Sequence, residues 1–208
     1  MFEDIIFQKL WPIILIWLVL YIADYYLTIL GARYYESGAK DHIVFEGSYE
    51  LTPVFQKDIE TLRMFSTRFF RWVIISTALI VFLWYVSRND AVTSFFYRFL
   101  CGGLILREVA ILIRHARNIA LFRVAKEHQG LSGKIRYARW LTYQMSVVDL
   151  ISFAIVFVIV YLFAGSVPFL GGSFLLVTTA FKHGKLGKIK PKENNQQIAE
   201  SDGVEPSN

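Results

Sequence analysis

The sequence predicts an all-α integral membrane protein with five transmembrane helices, an amphipathic surface helix before the second, and a disordered C-terminal tail. Three observations predict it. Of its 208 residues, 55% are hydrophobic and 16% aromatic, and the mean hydropathy is +0.43. The apolar residues fall into separate runs of the length a helix needs to cross hydrocarbon, roughly 20 residues. Lys and Arg crowd into alternate connections, the asymmetry expected of a multi-pass chain. On this reading residues 1–190 form one helical bundle and 191–208 the tail.

Composition also excludes some classes. A single cysteine, Cys101, rules out an internal disulfide and a Cys-based zinc site. The net charge of +5 invites a nucleic-acid reading, but no such motif surrounds the basic segment 126–139. Attraction to anionic lipid headgroups explains that segment, and the expected partner is the bilayer, not nucleic acid. The acidic start and the lack of a small-residue cleavage site argue for a retained first span over a secretory signal.

Residues 11–30 form the first span. Trp11 and Trp17 at one end and Tyr25 and Tyr26 near the other suit the two interfaces, and Pro12 suits a first helical turn. Asp24 is the span's one charge. It lies either near the headgroups or at a polar site between helices. Residues 31–68 form a polar connection in which Phe55, Ile59, Leu62, Phe65 and Phe69 recur at helical spacing, predicting a helix lying on the membrane. The second span covers 69–86. Asn89 and Asp90 then supply a turn and an N-cap.

A long helix over 91–126 organises the rest. It is apolar enough for a third span, yet it carries Arg107, Glu108, Arg114, His115, Arg117 and Asn118. Cys101, Gly102 and Gly103 offer a small surface for close helix approach, and self-association is a further expectation. Residues 127–143 make a basic connection with Gly130 and Gly133 as breakers. The fourth span covers 145–164, with Ser146, Asp149 and Ser152 at its start. A tight turn at 165–168 leads into a short fifth span, 166–181. Its Gly171-Gly172-Ser173 reads as a helix-packing face, or as an unwound segment exposing carbonyls to an ion.

The connection over 114–139 holds seven basic residues against one acid, and 182–192 holds five. The positive-inside rule therefore puts the C-terminus in the cytoplasm and the N-terminus outside, in a plasma-membrane protein. A third span lying along the interface would give four spans and reverse the segments before it.

In that orientation Asp24, Glu108, His115, Asp149 and His183 fall at the cytoplasmic level. An intramembrane charge faces a partner or a wet cavity, because facing lipid costs several kcal/mol. Helical spacing places Glu108 and His115 on one face and Arg107 and Arg114 on a neighbouring stripe. The expectation is one polar cavity lined by Asp24, Glu108 and Asp149 with His115 at its mouth. Its ligand-binding candidates are Asp24, Arg107, Glu108, Arg114, His115, Asn118 and Asp149. Asp24, Glu108, His115 and Asp149 are permissible ligands for a divalent metal, although no compact ligand motif is present. Arg107, Arg114, Arg117 and Asn118 suit a phosphate or carboxylate, while Arg114 and Arg117 equally suit snorkelling to lipid. Arg107 and Glu108 also read as an ion pair with Asp24 or Asp149. A Ser146–His115–Asp149 triad is conceivable without any nucleophile elbow to support it. His42, His128 and His183 read as solvated.

Asp24-Tyr-Tyr-Leu-Thr28, then Gly31, then Glu50-Leu-Thr52-Pro53 resembles a pattern in small uncharacterised prokaryotic multi-pass proteins. There an Asp-x-x-x-Thr helix precedes Gly and Glu-x-Asn-Pro. The resemblance covers the first quarter of the chain, and Thr52 stands in place of Asn. It implies one site shared by Asp24 and Glu50. The functional expectation is a small channel or transporter for an ion or solute. The alternatives are a membrane-embedded enzyme acting on lipid at the inner leaflet, or a non-catalytic assembly protein.

Overall fold

The computed structural model describes residues 2–46, 55–127 and 133–188. The Glu50–Pro53 part of the resemblance, Gly130, His128 and the 191–208 tail lie outside them. The described chain is all-α and 84% helical, with one pair of very short strands. The helices are α1 (Phe2–Gln8), α2 (Leu10–Glu36), α3 (Gln56–Glu60), α4 (Thr67–Val86), α5 (Ala91–Glu127), α6 (Arg139–Ala164) and α7 (Val167–Lys188). Three of them, α2, α4 and α6, are long and apolar enough to cross a membrane. In α5 the polar residues dilute the apolar run that length alone would favour.

The centre is α5, with α2 on one side and α7 on the other. α4 leans on α2, and α6 on α7. Small residues set the α5–α7 approach. A Cβ on Gly103 would lie 2.7 Å from the Gly171 carbonyl carbon, and one on Gly102 would lie 2.5 Å from Pro168 Cβ. The Gly102–Gly103 surface is thus covered within the chain. Gly171, Gly172 and Ser173 stay helical and form the opposing face. The fifth apolar run is longer than its sequence suggested, because Lys182 to Lys188 continue the helix. At 1.5 Å per residue α7 is roughly 33 Å long, but its last turns carry Lys182, Lys185 and Lys188, and it is not among the three helices apolar enough to cross a membrane.

The helix ends follow local chemistry. Pro12 sits in the first turn of α2, where no backbone donor is needed. Asp90 Oδ1 accepts from the Val92 and Thr93 amides at 2.8 and 2.9 Å, capping α5. Gly165, at φ +64°, ends α6 in the left-handed region and lets α7 start two residues later. Trp17, expected at an interface, is instead buried and donates to Ser76 Oγ at 3.0 Å, tying α2 to α4.

The predicted surface helix is corrected. α3 stops at Glu60, and Leu62 turns to φ +49°. Tertiary bonds override the helical periodicity there. Tyr25 Oη donates to the Arg63 carbonyl at 2.7 Å, and Ser66 Oγ donates to the buried Asp58 carboxylate at 2.6 Å while accepting from the Phe69 amide that opens α4. Phe55, Ile59 and Leu62 pack inward on Tyr25, Ile29 and Phe69 instead of on a membrane surface.

Two further elements were not expected. β1 (Ile43–Phe45) and β2 (Ile135–Tyr137) pair in parallel, Ile43 opposite Ile135 and Phe45 opposite Tyr137. They join the two polar connections over a core of Ala39, Ile43, Phe122 and Ala125. α1 precedes the first span. Its Glu3 lies 3.4 Å from Arg98 and accepts from Ser166 at 2.9 Å, holding the opposite end of the bundle together.

Candidate functional site

The spacing Asp24 to Thr28 is one helical turn, so both side chains leave the same face of α2. Across from them is His115 of α5. His115 Nε2 lies 3.1 Å from Asp24 Oδ1 and 3.2 Å from Thr28 Oγ1. The Thr28 hydroxyl already donates to the Asp24 carbonyl at 2.8 Å. With its proton on that carbonyl, Thr28 Oγ1 accepts from the ring in the tautomer that carries its proton on Nε2. The Asp-x-x-x-Thr spacing has a local explanation: it sets the Asp24 carboxylate and the Thr28 hydroxyl against one imidazole.

Two turns back on α5 sits Glu108, fully buried, with Arg107 Nη2 at 2.8 Å from Glu108 Oε1. Arg107 pairs with its own neighbour in sequence, not with an acid across the bundle. Beside this cluster is a cavity of about 130 Å³, with Tyr21, Asp24, Thr28, Arg107 and His115 along it and Phe55 and Ile59 from the α3 end. Glu108, expected to line it, does not; Asp24 Oδ1, Glu108 Oε2, Arg107 Nε and His115 Nδ1 are buried and make no hydrogen bond within the protein. Such atoms are costly unless something else engages them.

Asp149 is elsewhere, which corrects the single-cavity expectation. It accepts two bonds from Arg117, at 3.0 and 2.8 Å, and lies 3.3 Å from Arg114 Nε. Arg114 Nη2 also donates to Ser146 Oγ at 2.7 Å, and Ser146 lies 2.8 Å from His183 Nδ1. The reason is azimuth on α5. At 100° per residue, His115 stands within about 20° of Glu108, whereas Arg114 and Arg117 are turned about 120° and 180° from it. One face of α5 therefore meets α2, and the other meets α6 and α7.

This division settles several sequence candidates. The metal set Asp24, Glu108, His115 and Asp149 does not assemble, and no group of three His, Cys, Asp or Glu suited to a metal occurs among the described residues. The Ser146–His115–Asp149 triad does not form either, because Ser146 meets His183. Ser146 is 1% exposed, so its hydroxyl is closed off between Arg114 and His183. The Arg114 and Arg117 guanidiniums face Asp149. Asn118 lines a second cavity, of about 160 Å³, between this cluster and Tyr137.

Sequence reasoning did not count Tyr21, Thr28 or His183 among the ligand-binding candidates. Tyr21 and Thr28 precede and follow Asp24 by about one turn, a signal that helical spacing carries. His183 read as solvated but is held by Ser146 and by an edge-on contact with Tyr143, ring centroids 5.8 Å apart. His42 makes a contact of 3.3 Å from Nδ1 to the Gly133 carbonyl. Comparison of the chain with protein-family models, curated proteins and solved structures gave no match.

Proposed function

We propose that this chain is a five-span transporter or channel of the plasma membrane that passes a proton, alone or with a small polar solute, through the α2–α5 cleft. The observation that supports this is the Asp24–Thr28–His115 cluster beside the buried Arg107–Glu108 pair, with a cavity along it. A helix-pairing role alone is met by closed pairs such as Arg117–Asp149. The α2–α5 cluster differs because buried atoms of Asp24, Arg107 and His115, residues that line the cavity, make no hydrogen bond within the protein. Chains of Asp, Glu and His at membrane depth suit proton relay.

The test is proton flux into liposomes that contain the purified chain and a trapped pH-sensitive dye, driven by a potassium diffusion potential. The expected result is acidification in the wild type, lost in Glu108→Gln and Asp24→Asn and retained in Arg117→Gln. No flux in the wild type under a potential or a pH gradient would leave the charges as helix-pairing groups and give the assembly reading.

The same proposal puts the C-terminal end of α5, the β1–β2 pair and the end of α7 in the cytoplasm, where Lys and Arg accumulate. In a Cys101→Ser background, Asn89→Cys should react with an impermeant thiol reagent on intact cells and Lys134→Cys should not. The reverse pattern would move the cleft to the outer face.

A further inference from the structure

A groove of about 560 Å³ runs between α6 and α7 at the end that carries Trp140 and Lys188. It shares no lining residue with the α2–α5 cavity, and its occupant is independent of that function. Val147, Ile151 and Ala180 form its inner, apolar part, and Lys185 and Lys188 stand at its polar end. From Ala180 to Lys188 the groove follows α7 for roughly 12 Å. Gly184 keeps it open, since a Cβ there would meet only Val147 Cγ2 at 3.9 Å.

We propose that this groove binds one anionic phospholipid, with an acyl chain against Val147 and Ile151 and the phosphate between Lys185 and Lys188. Its volume is in the range of formed ligand sites, roughly 300–1,000 Å³. Charge complementarity selects the headgroup. Neither lysine pairs with a described carboxylate, and Arg139, stacked over Tyr143 at 5.8 Å, adds a third cation at the same end. Trp140 is 61% exposed beside them, placing an amphipathic ring where headgroups begin. The polar-to-apolar order along the groove is that of a phospholipid entering from the interface.

The test uses the full chain in detergent, titrated with dioleoyl phosphatidylglycerol or dioleoyl phosphatidylcholine and read by native mass spectrometry. One phosphatidylglycerol per chain should be retained in preference to phosphatidylcholine. Lys185→Gln with Lys188→Gln should weaken it about thirty-fold, since each surface cation is worth about five-fold toward anionic lipid. Gly184→Leu, whose Cβ would meet nothing nearer than Val147 Cγ2 at 3.9 Å and whose larger side chain starts at the groove wall, should abolish it while helix content is unchanged. Equal retention of the two lipids, or full binding in either variant, overturns the proposal. So does a dimer that Gly184→Leu dissociates, because a second copy then fills the groove. If Gly184→Leu does not fold, the exposed lysine pair decides the question alone.

Discussion

Gly171→Ala is expected to separate α5 from α7 and to lower stability by about 3 kcal/mol or more, at the upper end of overpacking costs. A Cβ at Gly171 would collide with the Phe99 carbonyl oxygen and lie 2.8 Å from its carbon. The obstacle is backbone, so no rotamer change relieves it. Two neighbouring contacts hold the helices at this distance, Gly103 against Gly171 and Gly102 against Pro168. The whole interface must therefore open. Thermal or denaturant melting in detergent, followed by circular dichroism, is the measurement. Gly184→Ala is the control, as its Cβ would make only an ordinary contact, 3.9 Å from Val147 Cγ2. It should match or exceed the wild type, because alanine is the better helix former by up to about 1 kcal/mol. Equal melts for the two variants would show that α7 is free to slide on α5.

Glu108→Gln is the second large effect expected. Glu108 is fully buried, and its carboxylate is the only one within ion-pair reach of Arg107 among the described residues. Removing its charge leaves a cation in a medium that solvates it poorly. Breaking a buried pair costs about 3–5 kcal/mol, and the partial exposure of Arg107 brings the expectation here to about 2–3 kcal/mol. Arg117→Gln is the contrast. Its side chain is 55% exposed, so the loss should stay under about 1 kcal/mol even though two bonds to Asp149 are removed. The same melting experiment checks both. Equal losses would mean that the α2 face and the α6 face of α5 are not distinct environments.

The limits of sequence reading are visible in particular residues. Asp90 as a cap, Gly165 as a helix stop and Gly102–Gly103 as a close-approach surface were all legible, because each acts through its own backbone or its own size. The α3 region was not. Phe55, Ile59 and Leu62 keep helical spacing, but Tyr25 and Asp58 bind the chain at Arg63 and Ser66 and turn it back. The strands were equally hidden, since three-residue runs show no period and Ile43 meets Ile135 from a distant connection.

The candidate site divides in the same way. That Asp24, Glu108, His115 and Asp149 need partners follows from sequence, because an ionisable group amid lipid-suited residues is costly wherever it points. Sequence also placed Glu108 and His115 on one face, through the fixed rotation of an α-helix. Which helix each face meets was decided only by the tertiary structure. The glycines that seat α7 against α5 leave α2 opposite Glu108 and His115, and bring α6 to Arg114 and Arg117. Asp24 was thereby joined to His115, and Asp149 was drawn to the two arginines. Helical period is a property of the local chain, whereas helix neighbours are set by packing between residues far apart in sequence.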